Sequence, residues 1–332
     1  MDTNLVEQVK ERIKSVSTIM WVILLYFVLS WIFVPMFGTA YNMKNILGQV
    51  CVLLIAACGQ HFAVLNGGVD FSVTSVIALS GVVGASIMSE ATGLLAGQWH
   101  AVPVALVVMV LIGLVAGVIN GLSIITFKMP SFIVTLATQM IGSGLALLYT
   151  KSKTIGVFPD SFTKLGTGHV WVIPYAFFVA IGFAAICHYI LSRTKLGRQI
   201  YAIGNNAKAA RISGVPIKKT IFKIYVISGL SASLAGIVMI AQMESAAPSF
   251  ASNMFIDVMT AIIIGGTSPM GGRGKITDTL KGAFFVILLN VSMNLLGVSW
   301  FVISIIKGLI ILLATTTDIV KKGRLKQLGV RK

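Results

Sequence analysis

The sequence predicts an all-α fold, a polytopic bundle of about ten transmembrane helices with broken or re-entrant glycine-rich segments, and three observations carry that reading. The chain of 332 residues is 56% hydrophobic and 11% charged, whereas soluble domains hold roughly 45–50% apolar and about 25% charged residues. Predominantly apolar runs near the ~20 residues that a helix needs to cross a bilayer recur along nearly the whole chain. The interruptions between those runs alternate between rich and poor in Lys and Arg, as the positive-inside rule demands of a multi-spanning protein. One transmembrane domain, 1–332, is therefore expected.

In order, segment 1–18 carries Leu5, Val9 and Ile13 at four-residue spacing among Lys10, Arg12 and Lys14, the pattern of an amphipathic helix on the cytoplasmic membrane surface. The apolar run after it is too long for the h-region of a cleaved signal. Spans are expected at 19–37, 46–65, 71–88, 102–127 and 132–149, then, past a polar stretch at 150–169, at 171–191. A basic loop, 193–223, leads to a seventh span at 224–243. The eighth begins near Phe255 and breaks at Gly265 and Gly266, the ninth covers 280–296, the tenth 300–317, and a basic tail fills 318–332. With both termini in the cytoplasm, only Lys44, Lys151, Lys153 and Lys164 face outside, and dropping any one span inverts part of the pattern.

The net charge of +16 is thus explained by insertion topology, and no long basic tract interleaved with aromatics points to nucleic acid. Cys51, Cys58 and Cys187 lie in apolar runs without a CxxC pair, as small core residues do. His61, His100, His169 and His188 are scattered. No Ser-His-Asp, metal-ligand or paired-carboxylate arrangement is readable, so no catalytic, cofactor-binding or metal site is expected and the chain does not read as an enzyme. Gly113, Gly117 and Gly121, and Ser228, Ala232 and Gly236, recur at every fourth position and allow close helix crossings. Lys307 sits near the middle of the tenth span, too deep to snorkel, and needs an internal partner such as Asp257 or Asp70.

Three stretches differ from membrane-helix filler. Asn66 to Ser75, NGGVDFSVTS, sets paired glycines, Asp70 and the hydroxyls of Ser72, Thr74 and Ser75 between the second and third spans. A carboxylate there either caps the third helix near Ser72 and Val73 or faces a cavity on the solute path, and the two roles can coexist. Ile264 to Lys275, IGGTSPMGGRGK, contains Gly265, Gly266, Thr267 and Ser268. It is not a phosphate loop, since Pro269 and Ile276 stand where that pattern needs Gly and a hydroxyl. Such backbone at membrane depth is tolerated where protein buries it or water reaches it, which suits a hinge or gate. The basic loop, Arg193 to Lys223, holds eight Lys or Arg and no acid. Within it Asn205 and Asn206 can cap a short helix, Ala207 to Ser213, which Gly214 and Pro216 end, while Tyr201 and Ile203 are candidate exposed apolar knobs. A short helix in a basic setting suits a groove on a soluble partner.

Taken in order, Gly67 to Ser75, Lys128 to Thr138, Thr194 to Val215 and Ile263 to Gly274 resemble four motifs of the permease subunits of bacterial ATP-binding cassette importers for monosaccharides, the ribose, xylose, arabinose and galactose group. The chain differs at Phe71, where that family usually has Leu, and at Thr74, where it usually has Gly. The resemblance covers nearly the whole chain and implies a bacterial inner-membrane permease that moves a monosaccharide inward. It implies four kinds of partner: a second permease subunit, identical or paralogous; a cassette ATPase dimer that holds ATP and magnesium, so that this chain binds no cofactor; a periplasmic sugar-binding protein; and the lipid bilayer. By the same resemblance Gly197, Arg198, Tyr201, Gly204, Asn205, Ala209, Ala210, Arg211 and Gly214 form the ATPase-coupling loop, and Asn66, Asp70, Ser72, Ser75 and Gly265 to Ser268 the translocation path or gate. The alternative is a stand-alone secondary transporter or facilitator, for which an ionisable pair at Lys307 would be the coupling element.

Overall fold

The computed structural model describes the backbone of residues 18–327 and the side chains of residues 19–316. The expected surface helix at 1–18 and the side chains of the basic tail lie outside the described residues. Thirteen helices and two pairs of two-residue strands follow in the order α1 (Thr18–Phe33), α2 (Ala40–Leu65), α3 (Val73–Met88), α4 (Ala101–Phe127), α5 (Ser131–Thr150), β1 (Ile155–Gly156), α6 (Asp160–Thr167), β2 (His169–Val170), β3 (Ile173–Pro174), α7 (Tyr175–Arg193), α8 (Lys195–Asn205), α9 (Ala207–Ile212), α10 (Ile217–Met243), β4 (Ser245–Ala246), α11 (Met254–Gly265), α12 (Ile276–Leu295) and α13 (Trp300–Gln327).

Two helices form the axis. In α2 83% of the most apolar window is buried, against 22% in α5, so α2 is core and α5 is rim. The second core helix, α10, packs against α4, α2 and α3, and small residues permit it. Added Cβ atoms at Gly113, Gly117 and Gly121 would meet Gly229, the Tyr225–Val226 backbone and Phe222. Ser231 Oγ accepts from Gly59 N at 3.0 Å and donates to Ile55 O, which fastens α10 to α2. Around this core α1, α4, α5, α7 and α13 turn Leu, Ile, Val and Phe outward, as helices bordered by hydrocarbon do.

The bundle has two distinct ends. At one, Gln242 Nε2 donates to Gly48 O at 3.0 Å, and β1 pairs with β4 in the register Ile155↔Ala246. At the other, Thr220 Oγ1 donates to Gln199 Oε1 at 3.2 Å, so α8 sits beneath the start of α10. The expected spans match apolar helices, with shifts that have local causes. The seventh begins at Ile217, about two turns before the expected Ile224, because Pro216 opens the helix and Lys218, Lys219 and Lys223 tolerate exposure there. The polar stretch at 150–169 is partly ordered as β1 and α6, whose Phe162 is fully buried.

Candidate functional site

The segment between α2 and α3 folds back along α2. Gly67 adopts φ +78° and lets the chain reverse, after which Gly68 N donates to Ala63 O at 2.9 Å. The Gln60 amide then clamps the Asp70 peptide, donating to Asp70 O at 3.0 Å and accepting from Asp70 N at 3.2 Å. Gln60 lies five residues before the end of α2, so at 1.5 Å per residue Asp70 is about 7 Å inside the end of that helix. Ser131 Oγ accepts from Val69 N at 3.3 Å, and Thr135 Oγ1 donates to Val69 O at 3.3 Å.

Asp70 therefore sits in a relay and not at an open surface. Its Oδ1 accepts from Ser72 N at 3.0 Å and from Ser72 Oγ at 2.5 Å. Ser72 Oγ accepts from Asn120 Nδ2 at 2.8 Å, and Asn120 Oδ1 accepts from Thr138 Oγ1 at 2.6 Å. Ser75 Oγ donates to Ser72 O at 2.9 Å. Asp70, Ser72, Thr74 and Ser75 are all buried; Asp70, Ser72 and Ser75 are joined to one another, Thr74 Oγ1 turns to Phe71 O at 3.5 Å, and the carboxylate is not left bare in an apolar bundle. Phe71 leaves this cluster and stacks on Phe255 at the start of α11, ring centroids 4.2 Å apart and planes 24° apart. Asn66, at the reversal, keeps its side-chain oxygen buried without a hydrogen-bond partner.

The second stretch is a tight turn joining α11 to α12. Gly266 ends α11 at φ +107°, and Gly271, Gly272 and Gly274 also take positive φ, conformations that cost most residues dearly. Ser268 N donates to Arg273 O at 2.9 Å, and Gly271 N to Ser268 O at 3.0 Å. The turn is wedged against the end of α2: Gly272 N donates to Leu65 O at 2.8 Å. His61 Nδ1 lies 2.7 Å from Thr279 Oγ1 and 3.3 Å from Thr267 Oγ1, binding the same turn to α2 one level deeper. Gly265 packs directly on the backbone of Asp278.

The basic loop is almost wholly helical. Thr194 caps α8, accepting from Gly197 N at 3.4 Å, and Asn206 caps α9, accepting from Ala209 N at 3.0 Å. Gly214, at φ +77°, stops α9, which ends at Ile212 and not at Ser213. Asn205 does not share the capping. Its Nδ2 bonds Tyr201 O at 2.8 Å and reaches Gly272 O at 3.4 Å. The expected knobs are also corrected, because α8 is amphipathic and turns its apolar face inward: Ile203 is only 6% exposed, and Tyr201 is half-buried with its hydroxyl donating to Gly274 O at 2.6 Å. Burial, with the Asp278 carboxylate as the lesser cause, raises the Tyr201 hydroxyl above its ordinary pKa and keeps it a donor. The exposed apolar residue of α9 is Ile212, at 88%, on the same short helix as exposed Lys208 and Arg211, and Arg198 of α8 is exposed as well. Ala209 is exposed, Ala210 is buried, and Gly204 is pressed on Leu65 O and Gly272.

Lys307 finds Asp257 and not Asp70: Nζ lies 2.5 Å from Oδ1, while Asn290 Nδ2 donates to Asp257 Oδ2 at 3.2 Å. This pair, with Lys307 buried and Asp257 partly exposed, links α13, α11 and α12. Cys51, Cys58 and Cys187 are buried and free of disulfides. Gln60, His61, Asn120, Ser131, Thr135 and Thr138 carry the polar framework yet were not singled out from sequence. A signal existed for three of them, since Ser131, Thr135 and Thr138 fall at i, i+4 and i+7, one helix face, inside the second motif.

A family described as the branched-chain amino acid transport system permease component matches residues 42–315, most of the chain and all of the elements that hold this framework. The chain belongs to that family. The permease is also similar to the ribose import permease protein RbsC of Haemophilus influenzae, 36% identical over 290 residues that cover 86% of this chain and 87% of that protein. It is 36% identical to the RbsC of Bacillus subtilis over 287 residues, covering 86% of each. To the L-arabinose transport system permease protein AraH of Escherichia coli it is 35% identical over 300 residues, covering 88% of this chain and 87% of that protein. The resemblance of the four motifs to permeases of monosaccharide importers therefore holds. The permease is a multi-pass integral membrane protein of the inner membrane and a transport subunit of the ATP-binding cassette class, not an enzyme. Permeases of that class work with a separate ATPase and a substrate-binding protein.

Proposed function

We propose that this permease imports a monosaccharide, a pentose such as ribose or arabinose being the first candidate, and that α8 and α9 are the cytoplasmic surface on which the cassette ATPase docks. The observation that carries the docking is the disposition of α9: a capped helix, with Ile212 bare to solvent amid basic side chains and Ala210 seated against the bundle. An apolar side chain so exposed on a short rigid helix suits a groove in a soluble partner. The pentose reading is supported by the names of the relatives at 35–36% identity.

Ten spans with both termini cytoplasmic complete the reading. Among the described residues six helices are long and apolar enough to cross a membrane, and four shorter apolar helices lie at Ile19–Phe33, Val73–Met88, Met254–Gly265 and Trp300–Thr316. At 12 residues α11 reaches only about 18 Å of a ~30 Å hydrocarbon layer, so it is half of a broken span completed by the preceding turns. The Asn66–Ser75 fold-back is the counterpart ahead of α3. Backbone of this kind stays in a membrane where protein satisfies it, which Gln60, Ser131 and Thr135 do. The two breaks meet at the Phe71–Phe255 stack, and this meeting point, with Asn66, Asp70, Ser72, Ser75 and Gly265 to Ser268 behind it, is the gate of the path.

A second permease subunit supplies the other wall, ATP and magnesium are held on the ATPase, and this chain carries no cofactor. The Lys307–Asp257 pair belongs to the packing of α11, α12 and α13 and not to ion coupling. Uptake of radiolabelled ribose and arabinose into vesicles holding the permease, its ATPase and its binding protein tests the whole. ATP-dependent accumulation of one sugar is the expected result; accumulation driven by an ion gradient without ATP would overturn it.

A further inference from the structure

The glycine turn at 266–275 touches both functional regions at once, which the motifs alone do not disclose. On one side Tyr201 Oη donates to Gly274 O at 2.6 Å and Asn205 Nδ2 to Gly272 O at 3.4 Å, both from α8. On the other, Gly272 N donates to Leu65 O at 2.8 Å, one residue before the chain leaves α2 for the Asn66–Ser75 fold-back. The fit leaves no slack. A Cβ on Gly271 would lie 2.9 Å from Gly67 N and 3.0 Å from Leu65 O, and one on Gly272 2.6 Å from Asn205 Oδ1. Thr267 of the turn and Thr279 of α12 both bond His61 behind it, which fastens the turn to α2 at a second point.

We propose that this turn is the rigid link through which movement of α8 reaches the Asn66–Ser75 break, and that Tyr201 is the positioning residue that holds the link engaged. The inference rests on the reading of α8 and α9 as the ATPase-docking surface. When α9 is pushed, α8 moves with it across the single residue Asn206; the Tyr201 hydroxyl and the Asn205 amide carry the turn, and Gly272 carries the end of α2. Tyr201 acts through the turn and touches no solute. Its raised pKa keeps the donated proton in place across the physiological range.

The test is hydrogen exchange on the permease–ATPase complex in lipid nanodiscs, with and without ATP plus vanadate, for the wild type, Tyr201→Phe and Asn205→Ala. In the wild type, trapping changes exchange in both 195–212 and 66–75. Tyr201→Phe keeps the ring and loses only the bond, so the change at 195–212 should persist while that at 66–75 shrinks about tenfold, within the usual range of coupling between sites. Asn205→Ala, on the exposed side of α8, should show a smaller loss in the same place. A merely structural role would lower the melting temperature and reduce both responses alike, which overturns the proposal, as does an undiminished response at 66–75 in both variants. Absence of any response at 195–212 in the wild type would instead overturn the docking surface itself.

Discussion

At the scale of the residue, Asp70 shows how a carboxylate is housed in a membrane protein by its acceptor capacity. Ser72 supplies two donors to one oxygen, and Asn120 and Thr138 extend the chain outward to α4 and α5. An amide oxygen can accept the same two bonds, so Asp70→Asn should insert and unfold within about 1 kcal/mol of the wild type, whereas Asp70→Ala strands buried donors and costs about 1–3 kcal/mol. Thermal unfolding in detergent checks both. The Lys307–Asp257 pair behaves differently, because removal of the Asp257 carboxylate leaves the buried Lys307 ammonium without its partner. Asp257→Asn alone should destabilise by about 3–5 kcal/mol, while the double replacement Lys307→Met with Asp257→Asn recovers most of it. If the pair is structural, the double variant also keeps ATP-driven uptake.

At the scale of the element, the basic loop at 193–223 is legible where its chemistry is local and illegible where it depends on the fold. The Asn206 cap, the Gly214 stop and the short helix between them follow from residue types at fixed offsets, and all three are present. That Ile203 points inward and Ile212 outward depends on how α8 and α9 lie against the bundle, a long-range fact that no local spacing contains. The same holds for Gly204, a glycine within a helix whose reason is the Leu65 carbonyl of another element. A methyl there overlaps that oxygen, so Gly204→Ala should cost about 1–3 kcal/mol and Gly204→Leu should abolish import. A bulky residue at Ala210 should lift α9 from the bundle, leaving membrane insertion intact and uncoupling uptake from ATP hydrolysis. Unchanged uptake in these variants, measured beside ATPase activity in the same vesicles, would contradict the role given to α9.

At the scale of the molecule, composition and apolar periodicity located the helices well, because a bilayer constrains length and polarity so strongly. The charge pattern predicts which end faces the cytoplasm. What it left open was depth: that the Asn66–Ser75 segment folds back along α2 is set by the Gln60 clamp and the Ser131 and Thr135 contacts, each made between residues far apart in sequence. Single cysteines placed at 94, on the strand end, and at 212, on the α8–α9 end, should be labelled by impermeant reagent from opposite sides of the membrane if the ten-span topology is right.

The proposed coupling of import to ATP rests on α9. The most direct test of its docking is a photo-crosslinking residue in place of Ile212 in the permease expressed with its ATPase, with a control at Val170 on the opposite, strand end, which is also exposed. A permease–ATPase adduct is expected from position 212 and none from position 170. Co-purification of the two proteins with no adduct from position 212 would contradict it.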